Sequence, residues 1–140
     1  MNYSPVILCV DDEVNALFIR KEVLESKGYL VVTARNYQQA LTVFTSVQVD
    51  LVISDHFLQG ETGCELAGKL KEYNSTIPFL LLSGVTELPL EAKHADVVFM
   101  SKLEGPERLL QVRAFPRFVP HALSQSTELP RALGTGLPSE

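Results

Sequence analysis

Short apolar runs alternate along this chain with longer stretches whose apolar residues recur at helical spacing. The runs Val6–Val10, Tyr29–Ala34, Leu51–Ser54, Phe79–Leu82 and Val97–Met100 read as five strands. The first, third and fourth are apolar nearly throughout, the pattern of strands covered on both faces of a parallel sheet. Between the first two, Val14–Lys27 predicts a helix with Leu17, Val23 and Leu24 as its core stripe, Arg20, Glu22 and Glu25 toward water, and Gly28 at its C-terminal end. A second helix is expected over Tyr37–Thr45, with Asn36 as N-cap and Ala40, Leu41 and Phe44 facing in. A third is expected over Cys64–Tyr73, on the stripe Leu66, Ala67 and Leu70. The segment Gly84–His94 contains Pro89 and has room for one or two turns. A last helix is expected from Pro106, stopped by Pro116.

This order predicts an α/β domain wound on both faces of a parallel sheet over residues 1–115. Residues 116–140, rich in Pro, Gly and Ser/Thr, are expected to form a mobile or loosely docked tail. In such a sheet the residues just past the strands share one edge, where ligands bind. Asp11 and Asp12 follow the first strand, Asp55 the third, Ser83 the fourth and Lys102 the fifth. Taken singly, each has an ordinary explanation: a capping Asp, a Ser-Gly turn, a solvated lysine. Their convergence on one edge is the informative feature.

Three carboxylates at one point repel each other and call for a cation. An all-oxygen donor set suits Mg²⁺ rather than zinc. Asp55, the middle carboxylate, would be the nucleophile of a phosphoryl transfer, with Lys102 and Ser83 holding phosphoryl oxygens. Glu13 reads as a residue of the first helical turn, and His56 as an exposed loop side chain.

Length and charge narrow the classes. The chain has 140 residues, 46% of them hydrophobic and 21% charged, as expected of one globular domain. The net charge of −5 argues against direct nucleic-acid binding. The acidity lies in the first 104 residues, with 14 Asp/Glu against 8 Lys/Arg. Two cysteines, Cys9 and Cys64, form neither a disulfide framework nor a metal motif and suit a reducing compartment. Neither a leader pattern nor a run approaching the ~20 apolar residues of a membrane span is visible. A cytoplasmic protein with no membrane partner is expected.

Val10-Asp11-Asp12-Glu13, Asp55 with Gly63 eight positions later, Ser83-Gly84, and Phe99 three positions before Lys102 together resemble the receiver domain of two-component response regulators. The resemblance covers about residues 5–115. It implies a flavodoxin-like, doubly wound five-stranded parallel sheet of order 2-1-3-4-5. It also implies Asp55 as phosphoacceptor, Asp11 and Asp12 as the metal-binding acidic pair, and the backbone carbonyl of Phe57 as a further Mg²⁺ ligand. Ser83 and Lys102 would contact the phosphoryl group, and Phe99 would occupy an aromatic switch position, although a ring in that strand is also simply core. The implied partners are a histidine kinase or phosphotransfer protein and a downstream protein.

The chain departs from the family pattern at four places. Gln59 stands where proline is usual four positions after the phosphoacceptor, and Leu103 stands where proline usually follows the lysine in a cis peptide. The Ser83-to-Phe99 interval is short by about one helical turn, so a shortened fourth helix is expected, and the fifth helix ends early at Pro116. Phe57 and Val85 place apolar groups where polar ones are common, which predicts slow loss of a phosphoryl group. The residues beyond the fold are too few for a further domain, so a stand-alone signalling receiver is expected, not an enzyme beyond catalysing its own aspartyl phosphorylation and dephosphorylation. A haloacid-dehalogenase-type phosphatase would want a second Asp where Phe57 stands. A receiver-like binding module that works without phosphorylation is the alternative reading.

Overall fold

A computed structural model of the chain describes residues 4–84 and 97–102. Its elements run β1 (Val6–Val10), α1 (Val14–Glu25), β2 (Leu30–Ala34), α2 (Tyr37–Ser46), β3 (Leu51–Asp55), β4 (Phe57–Leu58), β5 (Glu61–Thr62), α3 (Gly63–Tyr73), β6 (Phe79–Ser83) and β7 (Val98–Ser101). Five of the strands form one sheet in the order β2-β1-β3-β6-β7, and every neighbouring pair is parallel. Counting these five alone, the order is 2-1-3-4-5, the flavodoxin-like arrangement. The segments expected to form the fourth and fifth helices, the Lys102-Leu103 peptide and the tail lie outside the described residues.

The sheet divides two cores. One face carries Leu8, Val10, Val52, Phe79 and Leu81 against Ala40 of α2 and Leu66, Ala67 and Leu70 of α3. The other carries Ile7, Cys9, Leu51, Ile53, Leu80 and Leu82 against Leu17 and Leu24 of α1. Alternate residues of one strand thus serve opposite faces, which is why β1, β3 and β6 had to be apolar throughout. Burial of Cys9 pushes its thiol up to about 12, with Arg20 opposing and Asp11 adding to the rise, so it stays a neutral core side chain.

Helix starts follow local chemistry. Asn36 caps α2 by accepting from the Gln39 backbone N–H at 2.9 Å. Thr62 and Glu65 form a reciprocal capping box at the start of α3. Glu13 is the N-cap of α1 rather than a member of its first turn, accepting from the Ala16 N–H at 3.2 Å.

Val23, expected in the core stripe of α1, is only half-buried and belongs to neither core, and two polar side chains also differ from expectation. Arg20 does not face water but is buried. Positions 17, 20 and 24 share one helical face, and Leu17 and Leu24 fix that face inward. His56 is buried too. The loop after β3 folds straight back, with the Gly63 N–H donating to the His56 carbonyl at 2.6 Å, and traps the ring against Phe57 and Cys64.

Candidate functional site

The parallel registers place the ends of four strands at one edge. Val10 is level with Ser54, Asp55 with Leu82, and Ser83 with Ser101. Asp11, Asp12, Asp55, Ser83 and Lys102 are therefore neighbours by construction. A carboxylate oxygen from each of Asp11, Asp12 and Asp55 lies within 4.8 Å of the others. Asp11 and Asp55 are buried and Asp12 is half-buried.

Lys102 Nζ reaches across from β7, 3.2 Å from Asp55 Oδ1 and 3.6 Å from Asp11 Oδ2. Burial holds the Asp55 carboxyl above the usual carboxylate range, and the negative charge of Asp11 adds to it; Lys102 and the His56 backbone N–H pull the other way. A cation at the three carboxylates would therefore find two of them, Asp11 and Asp55, already desolvated. Hard oxygen donors at this spacing suit Mg²⁺.

The backbone behind Asp55 is unusually close-packed. A Cβ on Gly63 would lie 2.6 Å from the Asp55 carbonyl oxygen and 2.5 Å from Leu81 Cδ1. Only glycine lets α3 begin against the end of β3. Between them, β4 and β5 pair as an antiparallel hairpin whose two-residue loop is Gln59-Gly60. Both residues have positive φ, 52° and 103°, as a type I′ turn requires. Proline cannot adopt that φ, which accounts for Gln59 at the position where proline was expected. Asp12 and Gln59 line a small polar cleft with Arg35, Asn36 and Gln39.

Phe57 projects its ring into solvent from β4. Phe99 is partly buried and packs against the core on the α2–α3 side of the sheet. Ser83 is fully buried at the end of β6. The sequence pattern brings Asp11, Asp12, Asp55, Ser83 and Lys102 to one edge but gives no place there to Arg20. Its Nη2 donates to Asp11 Oδ2 at 3.3 Å, so a second cation reaches the site from α1. The signal was present in the Leu17, Arg20, Leu24 spacing.

A family model described as "Response regulator receiver domain" matches residues 7–114. Among curated proteins, the chain is 26% identical over 115 residues to Sporulation initiation phosphotransferase F of Bacillus subtilis, covering 81% of this chain and 93% of that protein. It spans about half the length of other curated relatives it matches. Among solved structures, the chemotaxis response regulator CheY4 of Vibrio cholerae superposes with a TM-score of 0.73 at 26% identity, covering 78% of this chain and 95% of that one. The response regulator TrrA of Thermotoga maritima, solved in complex with Mg²⁺-BeF, superposes with a TM-score of 0.64 at 33% identity, covering 76% and 97%.

Proposed function

The chain belongs to the response regulator receiver domain family, and on that premise we propose that it is a phosphorylation-controlled signalling module with Asp55 as its phosphoacceptor. The observation that carries this reading is the meeting of Asp11, Asp12 and Asp55 with Lys102, whose Nζ is 3.2 Å from Asp55 Oδ1. The donor would be the phosphohistidine of a histidine kinase or phosphotransfer protein. An Asp55 carboxylate oxygen attacks phosphorus, the P–N bond breaks, and the imidazole leaves with its electron pair and takes up a proton.

Asp11, Asp12, Asp55 and the Phe57 carbonyl would hold Mg²⁺, which supplies charge neutralisation for the transferring phosphoryl group. Lys102 moves its ion pair from Asp55 to a phosphoryl oxygen. Ser83, buried at the end of β6, donates to another once the group is in place. Each new contact draws on a side chain already at the sheet edge, so little reorganisation is needed. The added charge of about −1.5 to −2 then biases the surrounding loops and Phe99, and the output is a changed protein–protein contact.

Arg20 and Lys102 both pair with Asp11, and this favours a second reading, a binding module that works unphosphorylated. One experiment separates the two. The protein is incubated with Mg²⁺ and acetyl phosphate and its intact mass is measured beside Asp55→Asn. A single phosphoryl adduct, absent from the variant, is expected. A folded protein that takes up no phosphoryl group would leave only the second reading.

A further inference from the structure

Arg20 is anomalous on physical grounds. It occupies the inward stripe of α1 between Leu17 and Leu24, its side chain is 8% exposed, and a guanidinium there has been removed from water at substantial cost. Only part of that cost is recovered. Nη2 pairs with Asp11 Oδ2, while Nη1 is buried and has no hydrogen-bond partner among the described residues. A core position could be filled by an aliphatic side chain with no such deficit.

Among the described residues, the arginine's ionic partner is Asp11, in the acidic site. Asp11 Oδ2 receives both Arg20 at 3.3 Å and Lys102 at 3.6 Å, and Asp11 Oδ1 accepts the Glu13 backbone N–H at 2.9 Å. Both oxygens of Asp11 are thus engaged by groups of the protein itself. Three carboxylates and two cations leave the cluster with one net negative charge, where Lys102 alone would leave two. Asp11 is fully buried, so water screens little of this.

We propose that Arg20 is a resident counter-cation of the acidic site. It holds Asp11 in place without a metal and opposes the divalent ion for that carboxylate, so this receiver keeps its site assembled when metal-free and binds Mg²⁺ weakly. The proposal rests on the reading of the acidic trio as a Mg²⁺ site. A guanidinium is suited to the role because it stays protonated and donates to a carboxylate from a planar, pre-oriented group. A merely structural ion pair would affect folding stability and leave metal affinity unchanged.

The test is calorimetric titration of Mg²⁺ into the wild-type protein, Arg20→Met and Arg20→Lys. Arg20→Met keeps an apolar stem and removes the charge, and should tighten Mg²⁺ binding by roughly tenfold or more. Arg20→Lys should stay near the wild type. Arg20→Gln, which keeps a donor for Asp11 without the charge, gives the same test should the Met variant fail to fold by circular dichroism. Asp12→Asn added to each should abolish binding, locating the ion. Equal or weaker binding by the folded neutral variants would overturn the role of Arg20 and leave the Mg²⁺ site standing. Absence of binding in every protein would overturn both.

Discussion

Asp55 shows how a single side chain can be set against the fold that holds it. Burial and the charge of Asp11 keep its folded-state proton affinity above that of the unfolded chain, despite Lys102 at 3.2 Å. The sign follows from linkage. Below the unfolded carboxylate value of ~3.9 both states are protonated and nothing is lost. As pH rises through the raised folded value, the unfolded state has already ionised, and stability falls. Asp55→Asn should therefore raise the urea midpoint of the metal-free protein at neutral pH, and the advantage should disappear on acidification below about pH 4. A variant no more stable than wild type at pH 7 would show that Lys102 outweighs burial. Two residues on, the Phe57 ring stands exposed to solvent. Phe57→Asn should admit water and shorten the phosphoryl lifetime, read from the decay of the phosphorylated mass. Val85, the other apolar flank expected from the sequence, lies outside the described residues. At this scale the acidic trio, Ser83 and Lys102 were legible because strand ends fix position. Arg20 and His56 were not. Their polarity was read as exposure, and only the inward spacing of Leu17 and Leu24, and the fold-back of Gly63 onto His56, decide otherwise.

Between residue and domain, the segment 56–63 is the element that the sequence pattern concealed. It holds no apolar run, and its hairpin has two residues per strand, too short for any alternation to register. Its signals were local: Gln59-Gly60 at the turn, and Thr62 three residues before Glu65, a capping-box spacing. The turn makes a prediction that opposes analogy with proline-bearing relatives. Gln59→Pro cannot reach φ of 52° and should destabilise the protein. Gln59→Asn suits a type I′ turn and should stabilise it by about 0.5–1 kcal/mol. Urea unfolding of both variants checks the pair, and a stabilising proline would refute the hairpin. The joint with α3 is tighter still. Gly63→Ala places a methyl group against the backbone of Asp55 and the side chain of Leu81. It should cost about 1–3 kcal/mol. Because the clash is with Asp55's own carbonyl, phosphoryl uptake from acetyl phosphate should fall as well.

For the whole molecule, the sheet is both core and site. Its three central strands, β1, β3 and β6, are the buried ones, and the alternation of strand and helix made their order legible from the apolar runs alone. The lengths of those runs were less exact. β3 and β6 each extend one residue further, so Asp55 and Ser83 are the last residues of strands rather than the first of loops. That difference matters physically, because Asp55 is held in register with Leu82 of β6 and Ser83 with Ser101 of β7. The acidic cluster therefore exists only while β1, β3, β6 and β7 are aligned, and no local piece of the chain contains it. Mg²⁺ should accordingly act on the global transition. On the proposed Mg²⁺ site the ion would bind the assembled sheet and not the unfolded chain, so it should add RT ln(1 + [Mg²⁺]/Kd), or about 1.4 kcal/mol at ten times Kd, to the free energy of unfolding. The expected record is a thermal midpoint by far-UV circular dichroism that rises with Mg²⁺ in the wild type and stays fixed in Asp12→Asn. Amide exchange should show the same dependence at Ile53 and Leu80, which face each other across β3 and β6 and open only when the sheet does. Exchange at Glu61, in the short hairpin, should be fast and insensitive to the ion if that hairpin opens by itself. A Mg²⁺ response confined to the hairpin would mean that the ion sits on the loop, and that the sheet edge is not what binds it.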